Sequence, residues 1–298
     1  MVNVYNAGSP NAASLPAGCV GFWPLDGSGV DLAGGNNAVA TGEDWVAGLF
    51  GLAFRFDGDD VLRVSRCNNL VADGNGMGEV PAWNLNPTEV LMIAWIRPVS
   101  YAVAYEADRG IIMNKENSYE FGLEDETGAL QGAFSPCFRW YGTRRIPIHE
   151  WTHVAVGYDG VSEVHFMNSE LVENTDCGAG GPITSTVDDF RIGHRASSSR
   201  FGNSNFVGDI DEAMVYNRVL SEADLGKIYT AQYRNAIVAD SVVMQHSHSA
   251  GGITDIQASK KVYKGASKKG LSKIPDLIGF WPLSGDAKDM SGASYTRT

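Results

Sequence analysis

Short apolar segments, each closed within a few residues by Gly, Asp or Asn, follow one another from Leu52 to Tyr216. A chain punctuated this way can make strands and tight turns but not long helices. VLMIAWIRP at 90–98 is apolar on both alternating faces, the pattern of a strand buried at the centre of a sandwich. WTHVAVGYDG at 151–160 and VSEVHFMNSELV at 161–172 read as strand, turn, strand, with Asp159-Gly160 as one tight turn and Asn168-Ser169 as a second. Shorter strand candidates are 52–56, 61–64, 110–113, 119–123, 189–193 and 206–216. One helix stands out: in SEADLGKIY, Ser221 can cap with Asp224 three residues on, while Leu225, Ile228 and Tyr229 share a face. Many short strands with one late helix predict an all-β protein built from two antiparallel sheets.

The 298 residues are 44% hydrophobic and 19% charged, enough apolar material for a large core and too much for a disordered chain. No apolar run approaches the roughly 20 residues of a membrane-spanning helix. Residues 1–231 hold 30 of the 35 acids but 14 of the 23 Lys and Arg, a balance of −16, and the remainder carries +4. An acidic body repels phosphate backbones, which argues against nucleic acid and favours divalent cations or basic protein surfaces as partners.

VGFWPLDGSGVDLAG at 20–34 returns as IGFWPLSGDAKDMSG at 278–292, with Asp289 standing to Trp281 as Asp31 stands to Trp23. This identity predicts that the first strand of a second copy lies at 278–298. Lys260, Lys261, Lys264, Lys268, Lys269 and Lys273, mixed with Ser and Gly, mark 232–277 as a linker, leaving an arm at 1–17 and a body at 18–231. Met1 to Ala17 has neither a basic start nor an apolar stretch and does not read as a signal peptide. Cys19, Cys67, Cys137 and Cys177 are even in number and show no metal-binding spacing, which favours two disulfides and an oxidising compartment. Of three connectivities, Cys19 with Cys67 and Cys137 with Cys177 keeps partners within one half of the body; four buried thiols are the alternative.

Several blocks together resemble the laminin-G-like, concanavalin A-like lectin/glucanase jelly rolls: GFWPLDGSG, LAFRFDGDDVLRV, MIAWIRP, EWTHVAVGYDG with VSEVHFMNSELV, and RIG with FVGDIDEAMVYNRVLSEADLGKIY. The resemblance spans 20–229 and implies a two-sheet jelly roll of the kind found in extracellular adhesion, glycan-binding and structural proteins. It departs at Asn168-Ser169-Glu170, where the family has an NGE turn, and at 66–89, an insertion containing Gly74, Gly76 and Gly78.

Related jelly rolls often hold calcium, which collects oxygen ligands. Asp31 and Asn36 in the opening loop, Asp57 in FDGDD, and Asp209 and Asp211 in GDIDE are the candidates. Glycan binding needs aromatic faces beside polar groups. Tyr101, Tyr105, Arg139, Trp140 and Tyr141 are the candidates for it. GDIDEAM resembles the glucanase ExDxxE arrangement, but Asp209 replaces its first Glu and Met214 its last, so a catalytic carboxylate is missing. No GxSxG elbow appears, and the 74–78 glycines precede no helix. His153 reads as a structural residue, and His246 and His248 as part of the linker. The expected function is non-catalytic recognition of a glycan or extracellular protein, outside the cell or on its surface. The alternatives are a filament subunit self-associating through its basic tail and, least favoured, a glucanase using Asp209 and Asp211.

Overall fold

The computed structural model describes residues 14–42, 44–65, 84–101, 109–137, 140–178, 180–195 and 204–230. All lie in the compact unit Met1–Val242. Cys67, Tyr105, Arg139, the 66–83 part of the insertion, His246, His248, the linker at 232–277 and the second copy at 278–298 lie outside the described residues, as does most of the 1–17 arm.

The strands are β1 (Cys19–Trp23), β2 (Val39–Thr41), β3 (Trp45–Ala47), β4 (Leu52–Phe56), β5 (Val61–Val64), β6 (Val90–Pro98), β7 (Arg109–Lys115), β8 (Tyr119–Glu124), β9 (Leu130–Phe134), β10 (Thr152–Tyr158), β11 (Ser162–Met167), β12 (Glu170–Asp176), β13 (Phe190–Ile192) and β14 (Gly208–Tyr216). One antiparallel sheet runs β12-β11-β10-β6-β14-β4-β3, with β1 also on β14, and the other runs β2-β5-β13-β7-β8-β9. The two-sheet jelly-roll expectation holds.

β6 shows why its sequence is apolar on both faces. Val90, Met92, Ala94 and Ile96 enter the core between the sheets, and Leu91 and Ile93 pack in a second cluster with Leu225 and Ile228 of helix α1, residues 222–230. Ser221 Oγ caps α1 by accepting from the Asp224 amide at 3.2 Å, and Tyr229 stacks on Trp95. Asn168 and Ser169 have φ of 52° and 67°, the paired positive values that a two-residue hairpin turn requires.

β14 changes partner midway. Gly208 to Ile210 pair with β4, Ala213 to Tyr216 with β1, and a bulge falls between Asp211 and Met214. At that handover Asp211 Oδ2 accepts from the Leu49 and Phe50 amides at 2.9 and 3.0 Å, tying down the loop that brings the chain into β4. Burial raises the Asp211 carboxyl well above the usual range, and the neighbouring Glu212 pushes the same way.

Cys137 and Cys177 form the expected disulfide, joining the chain after β9 to the end of β12 across 40 residues. Cys19 carries a free thiol that donates to the Gly21 carbonyl, and burial pushes it up to about 12.

Candidate functional site

One face of the six-stranded sheet is core, so alternation turns every second residue outward. Tyr119, Phe121 and Leu123 of β8 are core residues, which leaves Glu120, Gly122 and Glu124 outside. Likewise Leu130 and Phe134 of β9 face in, Gln131 and Ala133 out. Opposed residues on paired strands share a face. The register therefore sets Arg63, Arg191, Asn114, Glu120 and Ala133 in one outward row across β5, β13, β7, β8 and β9.

The row is a hydrogen-bonded network. Asn114 Nδ2 donates to Glu120 Oε2 at 2.7 Å and to Glu116 Oε2 at 3.3 Å. The Arg195 guanidinium, from the loop after β13, meets both carboxylates, at 3.3 Å for Glu116 and 3.0 Å for Glu120. Burial pushes Glu120 up to about 7; Arg195 opposes the shift and Glu116 adds to it. Below that pH the carboxyl can donate a hydrogen bond, and above it the group only accepts. Buried Lys115 instead gives its ammonium to the Thr186 and Asp188 carbonyls, at 3.2 and 2.6 Å. Glu116, Asn117, Ser118, Glu120, Ala133 and Arg195 line a cleft on this face.

The face continues past Gly122, where a Cβ would lie 2.5 Å from the Gly110 carbonyl oxygen of β7. Arg109 reaches from β7 across β8, donates from Nε to Gln131 Oε1 at 3.3 Å, and sets its guanidinium 4.3 Å from the centroid of the Trp140 ring. Trp140 belongs to a segment that extends the sheet beyond β9 through the bridges Gly132 to Tyr141 and Ala129 to Arg145. Tyr141 packs on the core, so its neighbour Trp140 faces outward.

Beneath this segment lies a buried acid–imidazole pair. Val164 and Phe166 of β11 pack on the α1 side, so Glu163 and His165 point between the sheets, 2.6 Å apart from Oε1 to Nε2. Glycines make the room. A Cβ on Gly132 would lie 2.8 Å from Glu163 Oε1, and one on Gly142, at φ 123°, would lie 2.7 Å from the His165 ring.

The sequence candidates divide sharply. Of the aromatics, Trp140 alone presents a ring on the outer face among the described residues. Tyr101 is buried, donates its hydroxyl to the Ile146 carbonyl and takes the Arg145 guanidinium on its ring. Asp31 is surrounded by donors. Its oxygens accept from the amides of Phe22, Ala33, Gly34 and Asn36 and from Asn36 Nδ2, all within 3.1 Å. Asp209 lies buried between Arg55 and Arg97, accepting from their Nε atoms at 2.8 and 2.7 Å, and Asp211 holds the 49–50 amides. These two carboxylates face the α1 side of the other sheet, away from the cleft. Asp57 differs: its carboxylate lies within 4.8 Å of those of Asp44 and Asp60, and burial pushes Asp60 up to about 6. His153, buried between Trp95 and Tyr229, is pushed down to about 3 by that burial, as befits a structural residue.

Sequence reasoning missed Asn114, Glu116, Glu120, Gln131, Arg109 and Arg195. The alternation Tyr119-Glu120-Phe121-Gly122-Leu123-Glu124 already marks one apolar and one polar face, and it is the signal from which Glu120 could have been found.

Residues 73–226, just over half the chain, match the family described as the concanavalin A-like lectin/glucanases superfamily, Laminin_G_3. The chain belongs to this superfamily. Curated proteins give no match. Among solved structures, domain 4 of AbnA, an extracellular GH43 arabinanase from Geobacillus stearothermophilus, in complex with arabinotriose, is similar at 18% identity and a TM-score of 0.51, covering 71% of this chain and 98% of that domain. The binding domain of Paraclostridial Mosquitocidal Protein 1 is similar at 14% identity and a TM-score of 0.51, covering 72% of this chain and 52% of the other. A Trypanosoma rangeli sialidase mutant displaying trans-sialidase activity gives 13% identity and a TM-score of 0.51. The match covers 75% of this superfamily member and only 34% of that sialidase chain. At these identities the likeness is one of fold.

Proposed function

We propose that this superfamily member is an extracellular glycan-binding module and that the outer face of β7, β8 and β9 is its ligand surface. The observation that carries the reading is the run of hydrogen-bonding side chains from Arg195, Glu120 and Asn114 to Gln131 and Arg109, ending at the outward ring of Trp140. Sugars need polar groups for their hydroxyls and an aromatic face for their C–H surface. The arabinotriose complex of a similar domain supports a glycan as ligand, and the disulfide supports an oxidising compartment.

Retention on a panel of plant, bacterial and animal polysaccharides tests it. At least one should retain the chain, and Trp140→Ala should weaken that binding about tenfold, the loss of roughly 1.4 kcal/mol. Failure of the unmodified chain to bind any polysaccharide would withdraw the reading. Turnover of a bound polysaccharide that Glu120→Gln abolishes would replace binding with hydrolysis, since Glu116 and Glu120 are the carboxylates of the cleft.

Calcium, if bound, belongs at Asp44, Asp57 and Asp60, because the oxygens of Asp31, Asp209 and Asp211 serve N–H and guanidinium donors. Three carboxylates suit a cation that takes six to eight oxygens, with water supplying the rest. Calcium should raise the melting temperature relative to chelator, and Asp57→Asn should remove the difference. Superimposable melting curves of the unmodified chain in the two conditions would dismiss the ion.

A further inference from the structure

We propose that binding at the cleft is linked to a proton: an uncharged glycan closes over Glu120 while that carboxyl is neutral and is released as it ionises. The inference rests on the glycan-binding reading and adds a control to it.

In the cleft two carboxylates share one guanidinium. The side chains of Glu116 and Glu120 are 12% and 10% exposed, and both lean on Arg195, itself 13% exposed, at 3.3 and 3.0 Å. The Asn114 amide that bridges the two carboxylates carries no charge. Carboxylates so far out of water need a full countercharge each, and a proton on one of them restores the balance that a single arginine leaves short. Glu120 is placed to hold it, since it sits within β8, flanked by β7 and β9, and burial has already pushed it up to about 7 against the pull of Arg195.

The other charged groups around this row come from each neighbouring element. On β7, Lys115 gives its ammonium to the Thr186 and Asp188 carbonyls, and Arg109 lowers Glu120 less than Arg195 does. On β13, Arg191 faces Asp189 at 3.9 Å and also feels Glu116 and Asp188, while Arg63 of β5 pairs with Asp189 as well. His194, beside Asp59, is pushed down by burial and sets its Nδ1 against the Arg195 carbonyl. Further along β8, Glu124 accepts from the Thr127 amide and hydroxyl, and β9 adds the uncharged Gln131 and Ala133. A sugar covering the cleft strips the remaining water from the two carboxylates, and an uncharged one brings no charge to replace it. Covering therefore favours the neutral carboxyl, which can donate to a sugar oxygen where the carboxylate only accepts. Below about 7 the proton is already in place; above it, binding must first take the proton up and weakens by about tenfold per further pH unit.

Dissociation constants for debranched arabinan, dextran and galactomannan at pH 6 and pH 8 test the inference on the unmodified chain and on Glu120→Gln, with the melting temperature at each pH as the folding control. At least one of these uncharged polymers should bind about tenfold more weakly at pH 8, and Glu120→Gln should bind it equally at both. Calorimetry with that polymer at pH 7, in two buffers of different ionisation enthalpy, should show uptake of about half a proton per site filled. A carboxyl that merely supports the fold would take up none, and this measurement on the unmodified chain decides if Glu120→Gln does not fold. Equal affinities at the two pH values, tighter binding at pH 8, or a pH dependence that Glu120→Gln keeps would overturn the inference and leave the glycan-binding reading standing. Failure of all three polymers to bind would overturn it too, and the reading itself would then rest on the remaining polysaccharides of the panel.

Discussion

Glu163→Ala is expected to cost the fold about 3 kcal/mol, because it leaves the neutral His165 ring buried between the sheets with its Nε2 partner removed and a cavity where the carboxyl side chain stood. Glu163→Gln should cost less than about 1 kcal/mol, since a side-chain amide can still donate to that nitrogen. Urea denaturation of the two variants separates a specific bond from a mere filling of space, and equal losses would refute the bond. The pH dependence carries a sign as well. Burial pushes Glu163 up to about 9, so the native state keeps a proton that the unfolded chain releases near 4.5. Stability from this group is therefore present at low pH and declines as pH rises from 4.5 towards 9. Burial holds His165 down to about 4, so the unfolded chain binds a proton near 6.5 that the native state refuses, and stability falls as pH drops from 6.5 towards 4. Glu163→Gln should flatten the alkaline limb and leave the acid one.

Asp31→Asn is expected to destabilise by about 3 kcal/mol, equally in calcium and in chelator. The carboxylate accepts from four backbone amides and one side-chain amide that close the loop after β1. An asparagine must turn its NH2 towards donors that need an acceptor. The loop anchors more than itself, since Trp23 Nε1 donates to the Asn36 carbonyl at 2.9 Å and the Trp23 ring stacks on Phe190 of the opposite sheet. Melting curves of the variant with and without calcium decide the point. A loss that appears only in calcium would make Asp31 a metal ligand after all.

Strands with bulky residues on a strict period were legible: β4, β5 and β6 occupy the spans their sequences predict, and the helix cap and both hairpin turns are where Ser221, Asp159-Gly160 and Asn168-Ser169 place them. β2, β3 and β9 were not. β2 and β3 have three residues each, too few to show a period, and β9 reads Leu-Gln-Gly-Ala-Phe, whose centre is poor in strand formers. Missing β9 hid the site, because its outward Gln131 and Ala133 only acquire meaning beside Glu120 and Trp140. The carboxylates singled out in the sequence were conspicuous by type, yet type cannot tell a cation ligand from an acceptor of backbone amides. Asp31 and Asp211 both accept from backbone amides. The pairing of Glu163 with His165 could be foreseen only as two residues on one face of β11; their burial depends on Gly132 and Gly142, which no local pattern links to them.

The most direct test of the glycan-binding face is amide hydrogen exchange of the whole chain with and without a polysaccharide that retains it. Protection should concentrate in β8, β9 and residues 140–146. Protection confined to the α1 side of the eight-stranded sheet, with those segments unchanged, would contradict the assignment.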